Sequence, residues 1–300
     1  MDENIILQVN NLNKQFRSGN HKIQAINNIS FNVKKGETFA LVGESGCGKT
    51  TTGRLLIKLV DADSGEIIFK GTNISNLSNN KFRKLRPSIQ IIFQDPYGSL
   101  NPRMKIKKLL SEAVKSNTEN KSDINDVICE LIKSVGLEVS DLDKYPHEFT
   151  GGQRQRICIA RAIATQPDLI ICDEPVSALD LLVQAQILNL LKELQKKYGF
   201  SYIFISHNLS VVRYISDRVA VMCMGKIVEE GTTEEIFNNP SHIYTKLLLD
   251  SILDLTDNEK SEDLYKTYYD DKYQVAIDYV SKSSSKLNWI SPTHYVLQDI

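Results

Sequence analysis

Gly43-Glu44-Ser45-Gly46-Cys47-Gly48-Lys49-Thr50 is the stretch that decides the fold. It fits the pattern G-x-x-x-x-G-K-[ST], in which glycines let the backbone curl until its N–H groups point inward at phosphate oxygens. Lys49 then reaches the β- and γ-phosphates, and the Thr50 hydroxyl is placed to ligate Mg²⁺. The residues expected to touch a nucleotide are therefore Gly43, Ser45, Gly46, Cys47, Gly48, Lys49, Thr50 and Thr51. The motif requires a strand before it and a helix after it. Thr38–Val42 reads as a short buried strand, and a helix should begin near Lys49 and run through Arg54-Leu55-Leu56-Ile57. The helix N-terminus adds a field that favours negative charge. Cys47 has two readings: a thiol acidified by Lys49 and the helix terminus, or merely a small side chain.

Outward from this loop, Ile5–Val9, Ile26–Val33, Glu66–Phe69 and Ile89–Phe93 read as strands. Met104–Val114, Asp123–Val135 and Gly152–Ala164 read as helices, so that about 101–163 forms a mostly helical insert. Strand and helix then alternate: Leu169–Cys172, Leu182–Tyr198, Tyr202–Ile205, then an antiparallel pair around Gly225 and a helix over His242–Leu253. Such alternation predicts an α/β fold with a parallel sheet covered on both faces. Residues 254–300 differ in composition, since 255–300 hold six of the twelve tyrosines. There Tyr273, Val275, Ile277 and Tyr279 alternate with Gln274, Ala276 and Asp278, which predicts a strand, with a returning strand over Trp289–Val296. This tail reads as a small β-rich extension of a domain spanning 1–253; the competing reading is a partly disordered segment.

Composition removes several function classes. The 300 residues carry a formal net charge of −1, which gives no electrostatic case for binding nucleic acid. Cys47, Cys129, Cys158, Cys172 and Cys223 form no C-x-x-C pair, so neither a zinc site nor a disulfide scaffold is indicated. The N-terminal Met1-Asp2-Glu3-Asn4 does not resemble a secretory signal. No apolar run reaches the roughly 18 residues of a membrane span. The basic run Lys81-Phe82-Arg83-Lys84-Leu85-Arg86 reads as a solvated helix face or, less simply, a surface for anionic lipid.

A second chemical element lies at the end of the apolar strand Leu169-Ile170-Ile171-Cys172. Asp173 at the strand end suits a Mg²⁺-organising carboxylate. Glu174, one residue on, points elsewhere and can polarise a water for attack on the γ-phosphate.

Between the phosphate loop and this acidic strand stands Thr150-Gly151-Gly152-Gln153-Arg154-Gln155-Arg156. Taken alone it could be a loop capping the following helix. In this order, phosphate loop, Thr150 segment, Asp173-Glu174, it resembles the ATPases of ABC transporters, whose signature usually has Ser where this chain has Thr150. Longer strings narrow the resemblance to the oligopeptide and dipeptide (peptide/nickel) permease group. They are Phe93-Gln94-Asp95-Pro96-Tyr97-Gly98-Ser99-Leu100-Asn101-Pro102-Arg103-Met104, Tyr145-Pro146-His147-Glu148-Phe149, and Trp289-Ile290-Ser291-Pro292-Thr293-His294-Tyr295-Val296.

The resemblance implies a P-loop NTPase (RecA-like) core with an antiparallel β subdomain, a helical insert and a small C-terminal extension. It implies that Gln94 helps hold the metal and serves catalysis with Lys49, Glu174 and His207. It also implies that Phe16 stacks on adenine, and that Thr150, Gly151, Gly152, Gln153 and Asp180 meet nucleotide. ATP and Mg²⁺ are the implied cofactors. Two ATPase subunits would sit head to tail, each ATP lying between the Lys49 loop of one and the Thr150 loop of the other, with a related chain or else a second copy of this one as partner. Two transmembrane permease subunits would dock near Gln94–Arg103 on the cytoplasmic face of the membrane, served indirectly by an extracytoplasmic solute-binding protein. The implied activity is ATP hydrolysis powering import, of oligopeptides or else of dipeptides, nickel or another small solute. Two departures stand out: Thr293 lies where the group commonly has Gly, and its cysteine-containing C-terminal segment is missing. A soluble ABC ATPase acting on DNA or the ribosome is disfavoured, since neither a long coiled-coil insertion nor a second ATPase unit is visible. A non-hydrolysing sensor is disfavoured by Glu174 and His207.

Overall fold

The computed structural model describes residues 4–19, 21–117, 123–253, 273–280 and 287–297. Its strands, in chain order, are β1 (Ile5–Ser18), β2 (His21–Lys34), β3 (Thr38–Val42), β4 (Ser64–Phe69), β5 (Thr72–Asn73), β6 (Ile89–Ile92), β7 (Leu169–Asp173), β8 (Ser201–Ser206), β9 (Arg218–Cys223), β10 (Lys226–Thr232), β11 (Leu287–Trp289) and β12 (Tyr295–Leu297). The chain divides into two compact units. The first comprises described residues within 1–6, 34–36 and 76–203, the second those within 7–33, 37–75 and 204–300.

In the first unit β6 and β7 run parallel, with Ile89 level with Leu169 and Ile92 level with Cys172. Every residue of β7 is buried, which is why its sequence is a continuous apolar run rather than an alternating one. Helices over Ile106–Ser116, Ile124–Ser134 and Gly151–Ile163 occupy the stretch read as a helical insert. The long helix Leu181–Tyr198 starts at Asp180, whose carboxylate accepts from Val183 N, and stops at Gly199 with φ 74°. In the run 81–86, Phe82 is fully buried while Lys81, Arg83 and Lys84 are exposed, the pattern of a solvated face.

The second unit holds a sheet in the order β2-β1-β4-β5, with β1 antiparallel to β4 and β4 to β5. β1 runs past the expected end at Val9, because a bulge between Asn10 and Asn13 carries the strand through its asparagines. Gly65 faces that bulge; a Cβ there would lie 2.4 Å from Asn11 O, so only glycine fits. In the same unit β3 pairs parallel with β9, β9 antiparallel with β10, and β10 antiparallel with β12, which pairs with β11. The β9–β10 turn is the one expected at Gly225: Met224 and Gly225 both have positive φ, 49° and 77°, as a two-residue hairpin requires.

The tail needs a correction. Residues 273–280 are helical, not a strand. Ala276 and Val280 are fully buried, and Tyr273 and Ile277 pack beside them, an i, i+3, i+4, i+7 set. The apparent alternation misled because Val275 is exposed and Ala276, read among the outward residues, faces the core. The expected returning strand is two strands, β11 and β12, with Trp289 opposite Tyr295. Ala276, Val280 and Leu297 join Ala40, Val42, Val219, Val221 and Tyr244 in one apolar cluster. The C-terminal region thus shares the core of the strand that leads into the phosphate loop.

Candidate functional site

In the second unit, the loop after β3 folds as its glycines dictate. Gly43, Gly46 and Gly48 have φ of 146°, 85° and 111°, a region that favours glycine. A Cβ at Gly43 would stand 2.2 Å from Met222 O, and one at Gly48 2.5 Å from Ala25 O. The helix Lys49–Leu56 opens on Gly48 with no side-chain cap, leaving its first-turn amides to the loop side. Lys49 is 4 % exposed, and its Nζ donates to the carbonyls of Gly43 and Glu44, each at 2.7 Å. The tip of the β9–β10 hairpin secures the loop from behind: Gly225 N donates to Cys47 O and Asn27 N donates to Gly225 O.

Cys47 resolves to the plainer of its two readings. Burial pushes its thiol up, and the Lys49 ammonium beside it only partly opposes that. His207, just after β8, lines a cleft of about 410 Å³ with Gly43, Glu44, Ser45, Leu209 and Leu248. The unit thus brings one expected residue, His207, to the phosphate loop. Phe16 does not line that cleft. It lies on β1, 38 % exposed, with Lys14 Nζ 5.4 Å from its ring centre.

In the first unit, the parallel register that levels Ile92 with Cys172 places Gln94 level with Glu174 two residues further on. Gln94 Nε2 donates to Glu174 Oε2 at 3.2 Å. Asp173 is 4 % exposed at the strand end. Glu174 has φ 48° and its carbonyl accepts from Ser177 N and Oγ. A non-glycine residue held there costs about 1–3 kcal/mol, which the β7 end and the Ser177 turn must offset. That strain turns the Glu174 side chain away from the run of β7 and toward Gln94.

The Thr150 segment caps its helix as the simpler reading expected. Gln153 N donates to Thr150 Oγ1 at 3.4 Å, and Thr150 N donates to Gln153 Oε1 at 3.0 Å. This uses an acceptor of the Thr150 hydroxyl and keeps its O–H available as a donor to an anion. Gly151 and Gly152 lie against Leu179 and Val183; a Cβ at Gly152 would be 2.5 Å from Val183 Cγ1. Asp180 serves here as the cap of Leu181–Tyr198.

Two contacts escaped sequence reasoning. Arg154 is buried, donates to Pro146 O and His147 O, and lies 3.7 Å from the ring centre of Tyr97. Arg161 donates to Ser99 O. Together they bind the Thr150 helix to the segment after Gln94. The available signal was a run of polar residues at positions that helical periodicity assigns to a buried face.

The donor set suits a magnesium nucleotide. In the second unit the loop is a cradle that a Cβ would fill, and its Thr50 hydroxyl is a hard oxygen of the kind magnesium takes. In the first unit the buried Asp173 carboxylate is another.

Fold and site together describe an ATP-binding cassette, and the comparisons agree. The ABC transporter model matches residues 26–177, and the model for the C-terminal region of oligopeptide/dipeptide transporters matches 228–268. The chain belongs to the ABC transporter family and is an ATP-hydrolysing subunit of it. It is 44% identical over 295 residues to the oligopeptide transport ATP-binding protein OppF of Streptococcus mutans, covering 97% of this chain and 94% of that one. It is 48% identical over 252 residues to the dipeptide transport ATP-binding protein DppF of Lactococcus lactis, covering 82% and 81%. Among solved structures, a dimeric ATP-binding cassette in a post-hydrolysis state bound to ADP and Pi matches with TM-score 0.69 and 27% identity, over 76% of this chain and 99% of that one. Membership implies nucleotide binding, membrane permease partners and membrane association. Among the described residues no helix is long and apolar enough to cross a membrane.

Proposed function

We propose that this subunit powers the import of oligopeptides from the cytoplasmic face of the membrane, using Mg-ATP. The observation that carries the hydrolytic part is the Gln94–Glu174 hydrogen bond at the ends of β6 and β7. In this reading Lys49 and the loop amides hold the phosphates, and Thr150 and Gly152 serve the ATP of a partner subunit, a related chain. Gln153 holds Thr150, and Asp180 holds the helix behind Gly152. Phe16 offers its exposed ring to adenine. Thr50, Asp173 and Gln94 would hold Mg²⁺, which would supply neutralisation of phosphate charge. Glu174 accepts the proton of the attacking water, Gln94 sets the direction of its carboxylate, and His207 donates toward the γ-phosphate. Docking of the permease subunits at Gln94–Arg103 would reach the Thr150 helix through Tyr97–Arg154 and Ser99–Arg161.

Oligopeptides are favoured by the near full-length match to OppF; dipeptides are the second reading, favoured by the similar identity to DppF. The test is the complex reconstituted in vesicles with permeases, partner ATPase and binding protein. Glu174→Gln should lower kcat by about 10²–10⁴ with little change in ATP affinity. Unchanged turnover would remove Glu174 as the base. Uptake of peptides of graded length decides the cargo, and transport of none of them would end the peptide reading.

A further inference from the structure

The strand that carries Phe16 is tied to the phosphate loop. β2 backs onto that loop, since a Cβ at Gly48 would stand 2.5 Å from Ala25 O and 2.9 Å from Ile26 Cδ1. One residue before Ala25, Gln24 Oε1 accepts from Gln15 Nε2 on the neighbouring β1 at 3.2 Å. Phe16 is the next residue of β1, with its ring partly open to solvent.

The three residues before Phe16 all meet one residue, Asp63, which stands just ahead of β4. Asp63 N donates to Asn13 O at 3.0 Å, Lys14 Nζ donates to Asp63 Oδ1 at 2.9 Å, and Gln15 N donates to Asp63 Oδ2 at 2.6 Å. An exposed ion pair alone contributes little. This one differs in two respects. Its carboxylate is divided between a side chain and a backbone amide, so it fixes the strand as well as the cation. The Lys14 side chain is also only 14 % exposed, where lysine is ordinarily left to water. Its ammonium lies over the Phe16 ring, 5.4 Å from the centre, within reach of the ring's negative face.

That arrangement prepares the ring for a base. A phenyl face and a purine face are both electron-rich, so they stack best when a cation on the far side draws density away. Lys14 covers one face of Phe16 and leaves the other for a ligand. Asp63 keeps the ammonium there, where a free lysine would move out into water.

We propose that Lys14 and Asp63 are positioning residues for the nucleobase: Asp63 holds Lys14 against one face of Phe16, and the pair presents the other face to adenine. This rests on the functional reading above, in which Phe16 meets adenine, and deepens it. The clamp acts on the base alone, so a ligand with phosphates and no base should not detect it.

The experiment uses the full chain and two probes, Mg-ATP and magnesium tripolyphosphate, with affinities from calorimetry and melting temperature as the folding control. Lys14→Met keeps the apolar stem and removes the charge. It should weaken Mg-ATP binding about twofold to fivefold and leave tripolyphosphate affinity unchanged. Asp63→Ala releases Lys14 and Gln15 N together and should weaken Mg-ATP binding about threefold to tenfold, again without effect on tripolyphosphate. Lys14→Arg keeps a partner for Asp63 and a cation for the ring, and should restore the wild-type affinity. The decisive arm is Phe16→Ala, which should itself weaken Mg-ATP binding by about fivefold or more. In that background Lys14→Met should have no further effect. A merely structural role for the clamp would persist without the ring and would weaken both ligands alike. The proposal is overturned if neither Lys14→Met nor Asp63→Ala weakens ATP binding. It is overturned equally if tripolyphosphate loses the same factor, or if the loss is undiminished in Phe16→Ala. Phe16→Ala protein that bound ATP as wild type does would remove adenine stacking from the functional reading and this proposal with it. A loss in Phe16→Ala with none in Lys14→Met would overturn this proposal alone.

Discussion

The phosphate loop and the C-terminal hairpin sit in one unit and are held in opposite ways. The loop is shaped by its own residues, three glycines at positive φ and Lys49 turned back onto carbonyls five and six residues earlier, with a brace from outside it, Gly225 N on Cys47 O. The hairpin β11–β12 is fixed by distant carboxylates. Glu229 accepts from His294 Nε2 at 2.7 Å, Glu230 accepts from Tyr295 Oη at 2.9 Å, and Glu235 accepts from Ser291 and Thr293 hydroxyls at 2.8 Å. Those partners are 56 to 65 residues apart in the chain. A conformation written by local backbone preference survives changes elsewhere but tolerates none within it. One written by long-range polar pairs can be dismantled from either end.

The sharpest break of the loop is Gly48→Ala. Its Cβ would meet Ala25 O at 2.5 Å and Ile26 Cδ1 at 2.9 Å, so the loop must shift. ATP affinity should fall on the order of a hundredfold, what losing one or two hydrogen bonds from loop amides to charged phosphate costs. Gly46→Ala sharpens the point, since nothing lies within 4 Å of its Cβ and only the backbone conformation is strained. That variant should lose about tenfold, near the 1–2 kcal/mol of a left-handed residue. Equal losses by titration calorimetry would mean that close approach plays no part.

This difference explains what the sequence disclosed. β3 could be placed at Thr38–Val42 to the residue, because an apolar run ending in Gly43 has little else to be. Glu174 beside Gln94 was legible only as family resemblance; its physical cause is the register of β6 on β7, a non-local fact. The helix 273–280 was misread because Ala276 carries no hydropathy signal strong enough to choose between periods of 2 and 3.6. Its burial is decided by Val219, Val221 and the rest of a cluster assembled from across the unit. The Tyr244 hydroxyl accepts from Glu44 N across 200 positions of chain, which no spacing rule could reach. Thr293, marked in the sequence only as a departure from the group, earns its place as a donor to Glu235.

Glu229 offers the test of the long-range half. It is fully buried, and besides His294 it accepts from Ser241 N at 2.7 Å and His242 N at 3.1 Å. Glu229→Ala strands all three donors. The expected loss is about 3 kcal/mol, as for one partner removed from a buried pair. It should appear as a lower urea midpoint and faster hydrogen exchange at Ser241 and His242. A loss under about 1 kcal/mol would show that the hairpin stands on apolar contact instead.

The smallest effect separates two neighbouring carboxylates. Burial pushes Glu230 up, and despite Arg218 and Tyr295 opposing this it reaches about 7. Partial burial also raises Glu235, but hydrogen bonds from Thr232, Ser291 and Thr293 outweigh it and bring the group down from 4.5 to about 2. A carboxyl depressed in the folded state stabilises it above the unfolded pKa, because the unfolded chain binds the extra proton. The Glu235 contribution is therefore whole above about pH 4.5 and disappears as pH falls toward 2. Solvent screening at this half-buried group limits it to about 1 kcal/mol or less. Melting temperatures from pH 5 to pH 2.5 should fall less steeply in Glu235→Gln than in wild type. Parallel curves would show that the hairpin is not held by the Glu235 charge, and would leave Glu229 and Glu230 as the carboxylates on which its attachment turns.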